Sequence, residues 1–314
     1  IEVKEKSFSR KVQLTEERKI YAVNAIDADL VAFQDHSRGI SEAVQLQSIG
    51  LMDDVDEVPI VNTSTPEARY AVIVGVSSYQ RIHIPRVRYA LSDARRFRDY
   101  LVRMGGFPDE NVKLLEDNDA TLSEMKAYIQ EWLIRNAAKN DTVVLYFSGH
   151  GVPGDKDNEP YLLPYDGNPS FITSTGYSVK DIKQDLSRLR TNRVALILDA
   201  CYVSPAGTKP GILEVVDPTR LGEMKGVLIT SAKEGQLSNE WPEMKHGLFT
   251  YFLLKGVRGL ADTDKDGWVD LDEAYTYLAP LVSSTALKRL GRDQSPRKQG
   301  NGSSIHLTRT LGVK

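Results

Sequence analysis

Cysteine is almost absent from this chain of 314 residues, in which Cys201 is the only one. A single thiol excludes any internal disulfide and any zinc site built from several thiolates. A lone cysteine is then either a small buried side chain or a nucleophile. The lack of disulfides fits the cytosol, but it does not exclude a secreted or periplasmic chain.

Long apolar runs and an excess of charge of one sign are also missing. No run of about 18 apolar residues occurs, so we expect no membrane span. Lysine and arginine total 40 against 43 aspartate and glutamate, a formal net charge of −3 that does not favour nucleic acid as a partner. A hydrophobic content of 41% allows a substantial core and excludes global disorder. Because the chain begins with Ile1, we expect that an upstream segment has been removed.

The sequence pattern divides the chain near residue 66. Residues 1–66 mix short apolar runs with an acidic stretch at 53–57, which predicts an N-terminal extension. That extension is interpreted as a pro-segment, a small β-rich appendage, or a strand added to the main sheet. In residues 67–314, apolar runs alternate with helical periodicity, which predicts an α/β domain with a mostly parallel sheet of about six strands and helices on both faces.

Two of the predicted strands, 143–147 and 194–198, lead directly into chemically reactive residues. The first is followed by Ser-Gly-His-Gly with His150, and the second by Asp-Ala-Cys with Cys201. In a parallel sheet both sequences meet at the carboxyl edge, where ligands bind. A thiol needs a nearby base to become a thiolate at neutral pH. We therefore predict Cys201 as nucleophile, His150 as acid and base, and the N–H groups of Gly151 and Cys201 as an oxyanion hole.

In this order the two motifs resemble those of the caspase-like cysteine peptidases, and among them the metacaspases and bacterial orthocaspases. The resemblance covers about residues 69–260. The histidine and the cysteine are 51 residues apart (201 − 150 = 51), close to the spacing of roughly 50 in caspases. The resemblance implies a caspase-like three-layer fold, endopeptidase activity and no organic cofactor.

The resemblance also implies an acidic specificity pocket. Asp199 stands two residues before the nucleophile, and Asp93 lies in the helix segment that resembles the other acidic pocket residue of metacaspases. Ser148 is grouped with them as a substrate-binding residue. Two carboxylates would hold a guanidinium or ammonium group and repel an acidic side chain. The expected partners are peptides and proteins with Arg or Lys at P1, the residue before the cleaved bond.

Acidic residues at 262–273 fit the twelve-residue EF-hand loop, with Gly267 at its sharp turn. Calcium is therefore the predicted cofactor, and the spacing leaves open whether calcium activates the protein or only stabilises it. The alternative interpretation is a vestigial acidic turn. The predicted ligands are Asp262, Asp264, Asp266, Trp268 through its carbonyl, Asp270 and Glu273.

Residues 202–225 form a long predicted loop that contains Lys209, Arg220 and Lys225. Loops of this length are often functional. An enzyme that cuts after basic residues could cut itself at these three positions, so we treat them as self-cleavage candidates. The alternative is an ordinary solvated loop.

Two other functions stay open at this point. One is a catalytically silent caspase-like module that senses calcium or binds a partner. The other is a related peptidase, asparaginyl or clostripain-like, with a different P1 preference. An intact pair of Cys201 and His150 favours a peptidase over the silent module. The oligomeric state and the natural substrate are not readable from the sequence.

Overall fold

The computed structural model describes residues 55–154, 158–202 and 217–310, with residues 201 and 202 described by their backbone alone. Most of the predicted N-terminal extension therefore lies outside the described residues. Residues 54–314 belong to one compact unit. The predicted division of the chain near residue 66 stays a prediction.

Strands in the described residues fall into one large sheet and two small ribbons. Their bounds are β1 Arg69–Gly75, β2 Val112–Glu116, β3 Thr142–Pro153, β4 Pro160–Leu162, β5 Tyr177–Ser178, β6 Val194–Tyr202, β7 Val227–Thr230, β8 Glu240–Trp241, β9 His246–Gly247, β10 Trp268–Asp270, β11 Arg297–Gln299 and β12 His306–Arg309.

The helices alternate with these strands along most of the chain. Their bounds are α1 Ala90–Arg103, α2 Leu122–Lys126, α3 Leu133–Asn136, α4 Ile172–Thr175, α5 Val179–Ser187, α6 Leu248–Lys255 and α7 Leu271–Leu290, with π-helical segments at Ala127–Trp132 and Gly256–Leu260. None of the described helices combines the length and the apolar character that crossing a membrane requires.

The main path of the large sheet has the strand order β11-β7-β6-β3-β1-β2 and is parallel except at β11, and the short β4 and β5 join this sheet with antiparallel pairing. Helices α1, α6 and α7 cover one face, and α2, α3 and α5 cover the other, each over its own hydrophobic core. Because helices cover both faces, β1, β3 and β6 are apolar along most of their length. The prediction of an α/β fold with a mostly parallel sheet of about six strands is confirmed.

Strands β3 and β6 extend further than their apolar runs predict. The Ser-Gly-His-Gly and Asp-Ala-Cys sequences lie inside these strands and not beyond their ends. The small β4 pairs antiparallel with the end of β3 and lengthens the sheet there. Glycine suits this part of β3, because a Cβ at Gly149 would come within 2.9 Å of the Phe147 ring. Glycine and aspartate are depleted from strands, so propensity gave no sign of the extension.

The carboxyl-terminal third differs from the prediction in three places. The sequence over 248–260 predicts one long amphipathic helix, but α6 ends at Lys255 and is buried along its whole length between the sheet and α7. The sequence over 304–308 predicts a last strand, and this strand is β12, which pairs with β10 and not with the large sheet. Strand β11, which the sequence reading missed, forms the antiparallel edge beside β7.

Residues 55–66 contain no strand or helix and lie along α1. The Tyr100 hydroxyl donates a hydrogen bond to the Val55 carbonyl at 3.2 Å. The amide of Val61 donates to the Arg103 carbonyl at 2.8 Å. Val55 is buried among the core residues beneath α1, so this segment belongs to the packed unit.

Candidate functional site

The register of β3 against β6 brings the two predicted catalytic positions side by side. His150 is paired with Cys201, and Ser148 is paired with Asp199. Neighbouring strands lie about 4.8 Å apart, so the two backbones are immediate neighbours. The side chain of Cys201 lies outside the described residues.

The imidazole of His150 is held in one orientation by its neighbours. Its Nε2 lies 2.8 Å from the carbonyl oxygen of Pro85, and its ring stacks on Tyr79 with the ring centroids 5.3 Å apart. Its backbone amide donates a hydrogen bond to the Tyr79 hydroxyl at 2.7 Å. Because a carbonyl can only accept, Nε2 carries the proton and Nδ1 keeps a lone pair.

Nδ1 of His150 is therefore the basic nitrogen. It is buried and has no hydrogen-bond partner among the described residues. Burial lowers the pKa of His150 below its ordinary value, which favours the neutral ring at neutral pH. The sequence did not predict that Tyr79 and Pro85 contact His150. The segment after β1, which contains both residues, has neither helical nor strand periodicity.

The two carboxylates predicted for the specificity pocket meet at Gly247. Asp93 on α1 is 1% exposed and Asp199 on β6 is 6% exposed. An ideal Cβ at Gly247 would lie 3.0 Å from Oδ2 of Asp93 and 2.8 Å from Oδ2 of Asp199. Both carboxylates thus lie against the bare Cα of Gly247, where any larger side chain would meet them.

The Asp199 carboxylate is held by hydroxyl groups. Ser238 and Thr250 each donate a hydrogen bond to it at 2.6 Å. Burial raises the pKa of Asp199 above its ordinary value, and these hydrogen bonds act in the opposite direction. Among the described residues, no lysine or arginine forms a salt bridge with it.

Asp93 differs from Asp199 because it is paired with an imidazole. Nδ1 of His246 lies 2.5 Å from Oδ1 of Asp93, and the amide of Gly247 donates to Oδ2 at 2.9 Å. Burial raises the pKa of Asp93 to about 7. Sequence reasoning missed His246, although its His-Gly pair repeats the His-Gly pair of residues 150–151.

The other predicted site residues on β3 are both buried. Ser148 lies two residues before His150 and on the same strand as Tyr146, whose pKa burial raises well above its ordinary value beside the two pocket carboxylates. Gly151 lies between β6 and β4, in register with Tyr202 on one side and Leu162 on the other. The oxyanion role of the Gly151 and Cys201 amides stays a prediction.

The structure brings three of the predicted calcium ligands together. One carboxylate oxygen from each of Asp262, Asp264 and Glu273 lies within 4.8 Å of the others. Oδ1 of Asp262 is buried without a hydrogen-bond partner among the described residues. Gly267 adopts a φ of +88°, as the sharp turn at that loop position requires. The oxygen set and the turn fit a hard cation such as calcium.

Two further predicted ligands accept hydrogen bonds from the loop backbone. Asp266 accepts from the Trp268 amide at 2.7 Å. Asp270 caps α7 by accepting from the amides of Asp272 and Glu273, at 2.8 and 2.9 Å. Burial raises the pKa of Asp270 above its ordinary value.

The acidic loop packs at the end of the sheet opposite to His150. Its Trp268 stacks on His306 of β12 with the ring centroids 5.3 Å apart, and the guanidinium of Arg69 lies 5.4 Å from the Trp268 ring. Arg69 begins β1, where it is in register with Thr142 at the start of β3. His150 lies eight residues further along β3 (150 − 142 = 8), about 26 Å away at strand spacing.

The self-cleavage candidates stand in different surroundings. Lys209 lies outside the described residues. Arg220 is exposed and ends a short 3₁₀ turn, Pro218–Arg220. The Nζ of Lys225 donates to the Leu189 carbonyl at 2.7 Å, which ties it to the body of the protein. Self-cleavage after Lys209, Arg220 or Lys225 stays a prediction.

Two buried carboxylates and a histidine towards the carboxyl edge of a mostly parallel sheet are the arrangement of a caspase-like α/β protein. The family model of the caspase domain, peptidase C14, matches residues 68–310. The chain belongs to this family.

Similar proteins include fungal metacaspases. Metacaspase-1A of Aspergillus oryzae is 26% identical over 162 residues, which cover 46% of this chain and 36% of that protein. Metacaspase-1 of Ajellomyces capsulatus is 25% identical over 198 residues, covering 52% of this chain and 53% of its own length. The matched region thus spans between about a third and a half of these relatives.

One solved structure resembles the chain over most of its length. Protein GSU0716 from Geobacter sulfurreducens matches with a TM-score of 0.51 at 17% identity, over 78% of this chain and 98% of that one. This likeness concerns the fold alone.

Proposed function

We propose that this protein is a cysteine endopeptidase that cleaves peptide bonds after Arg or Lys, with Cys201 as nucleophile and His150 as acid and base. The observation that carries the proposal is the register of β3 and β6, which pairs the backbones of these residues. The free, buried Nδ1 of His150 supports it further, since a nucleophilic thiol requires an unprotonated base within reach. Membership of the caspase family agrees with this chemistry.

The reaction is acyl transfer in two stages. Nδ1 of His150 takes the proton of the Cys201 thiol while Sγ attacks the scissile carbonyl carbon. The C–N bond then breaks, the amine leaves with the proton from Nδ1, and a thioester remains. In the second stage Nδ1 takes a proton from water, whose oxygen attacks the thioester carbon. The acid product leaves, and the proton returns to the thiolate.

The pocket formed by Asp93, Asp199 and Gly247 supports the preference for a basic P1 side chain. Its carboxylates both lie against Gly247, and Asp199 forms no salt bridge with a described lysine or arginine. A buried carboxylate attracts a guanidinium and repels a carboxylate.

A panel of fluorogenic peptides that differ only at P1 tests the proposal. Arg and Lys peptides are expected to be hydrolysed faster than Asp or Asn peptides. Faster turnover of the Asp peptide would refute the acidic pocket, and turnover of the Asn peptide alone would indicate an asparaginyl peptidase. No turnover of any peptide, with Cys201 reduced, would favour the silent module.

A substitution at the pocket opening provides a steric test. Gly247→Ala should lower kcat/KM for Arg peptides by about tenfold or more, because its methyl group would overlap both carboxylates. The φ of −62° and ψ of 139° at residue 247 are accessible to alanine, so the substitution causes no backbone strain. Alkylation of Cys201 by iodoacetamide serves as the control, since this small reagent does not use the pocket. An unchanged kcat/KM would contradict the prediction.

We propose further that the loop over residues 262–273 binds calcium and that calcium stabilises the fold without activating the enzyme. Asp262, Asp264 and Glu273 would supply carboxylate ligands, and a bound cation would offset their mutual repulsion. The loop packs against β12 and the start of β1, far along the sheet from His150. A cation there holds the carboxyl-terminal ribbon to the sheet and has no contact with the reacting groups.

Thermal unfolding tests this role. At a calcium concentration of one hundred times Kd, binding to the folded chain alone adds about 2.7 kcal/mol. That raises Tm by roughly 5 °C in a chain of this size. Magnesium at the same concentration should raise Tm less, because it demands a smaller octahedral site.

Variants of the loop complete the calcium experiment. Asp264→Asn and Glu273→Gln should each reduce the rise in Tm, while Glu243→Gln, an exposed glutamate outside the loop, should leave it intact. Peptide turnover with and without calcium should agree within about twofold. Strong activation by calcium that Glu273→Gln abolishes would overturn the purely stabilising role of the loop.

A further inference from the structure

We infer that His246 is a positioning residue of the specificity pocket, which pairs with Asp93 and leaves Asp199 as the anion that binds the P1 cation. This inference rests on the proposed function and concerns how its pocket recognises charge. It assigns unequal roles to two carboxylates that the sequence alone treats as equivalent.

The geometry separates the two carboxylates clearly. His246 and Asp93 are both 1% exposed and share a contact of 2.5 Å between Nδ1 and Oδ1. Asp199 accepts hydrogen bonds from the hydroxyls of Ser238 and Thr250, and no described lysine, arginine or histidine forms a salt bridge with it. Two neutral donors stabilise a carboxylate but add no opposite charge.

The pairing of Asp93 with His246 determines the net charge of the pocket. While Asp93 and His246 share one proton more than the neutral imidazole carries, their summed charge is zero whichever of the two holds it. With Asp199 ionised, the pocket has a net charge of −1, which matches one guanidinium or ammonium group. Loss of the shared proton at higher pH makes the pocket −2 and strengthens its attraction for a cation.

Other titratable groups face this pair from each neighbouring element. Asp56 lies 3.6 Å from Nε2 of His246 and is itself in an ion pair with Arg96 of α1. The buried Tyr146 of β3 lies near both carboxylates, and Tyr251 of α6 packs its ring 6.3 Å from that of His246. Burial raises the pKa of Tyr146 well above its ordinary value, so Tyr146 stays neutral between pH 5.5 and 9. Asp56 and Arg96 offset each other, so the shared proton is the main variable.

The ratio of kcat/KM for a P1-Arg peptide to that for the neutral, isosteric P1-citrulline peptide measures the pocket charge across pH 5.5–9. Titration of the catalytic residues affects both peptides and cancels in the ratio. For the wild type the ratio is expected to rise with pH by at least about tenfold as the pair loses its proton. His246→Gln should move this rise to higher pH, because His246 lowers the pKa of Asp93 through its hydrogen bond and charge.

If His246→Gln does not fold, Asp93→Asn tests the same inference. That variant should abolish the rise due to the pair, yet change the ratio at pH 5.5 by less than about threefold, because the pair still holds its proton there and is neutral. His83→Gln, at an exposed histidine, serves as the control and should reproduce the wild-type profile. Identical profiles in all variants would overturn the inference, and so would a loss in Asp93→Asn as large as that in Asp199→Asn. Failure of the wild type to cleave either peptide would instead refute the proposed function.

Discussion

Replacing Cys201 with alanine is expected to abolish peptide hydrolysis while the protein remains folded. Without the thiol no thioester forms, and loss of a nucleophile that acts as a unit with its base lowers kcat by about 10⁴-fold or more. The position is in register with His150 on the neighbouring strand, which is why removal of either partner should have a similar effect. Initial rates on a P1-Arg peptide measure the loss, and thermal unfolding reports the fold.

The histidines of this chain provide a matched control for that result. His150→Ala should fall to the level of Cys201→Ala, because no other buried Nδ1 of a described histidine lacks a partner. His83→Ala, at an exposed position after β1, should keep full activity. Turnover near the wild-type rate in Cys201→Ala would rule out the assigned nucleophile.

Asp199→Asn is expected to cause the largest loss of specificity. Removing one partner of a buried charge pair costs about 2–5 kcal/mol, which is at least about 30-fold in kcat/KM for P1-Arg peptides. Asparagine keeps an acceptor oxygen for one of the two hydroxyls, and the other hydroxyl can rotate to accept from the asparagine NH2 group, so the fold should survive. Turnover of the P1-citrulline peptide should change little.

The comparison between peptides is the control for Asp199→Asn. A parallel loss on Arg and citrulline peptides would show that Asp199 supports the catalytic strand and does not select charge. A change confined to the Arg and Lys peptides would show that it acts as the anion of the pocket. A Tm of Asp199→Asn close to that of the wild type would show that neither loss comes from unfolding.

The local sequence pattern was sufficient to predict the strands and helices of the α/β core. Strands β1, β3 and β6 lie buried under two helical layers, so their apolar runs are nearly continuous and readable. The spacing of Thr121 and Glu124 predicts a helix cap, and Oγ1 of Thr121 accepts from the Glu124 amide at 3.2 Å. Cap residues and apolar runs act over a few neighbours, and the sequence carries such information directly.

Pairings between distant segments could not be read in the same way. The ends of β3 and β6 continue as strands through glycine and aspartate, because register with neighbours outweighs weak propensity there. Strand β12 pairs with β10 and not with the large sheet, a choice that depends on where the acidic loop lies.

By itself, the sequence determined the residue types of the site: one thiol, a glycine-flanked histidine, two aspartates and an acidic loop. Only the tertiary structure decided how these groups are paired. His246 is 153 residues from Asp93 along the chain, yet it contacts Asp93 and not Asp199. Charge balance in a buried pocket depends on distances of a few ångströms between groups from different elements, and no local pattern encodes such distances.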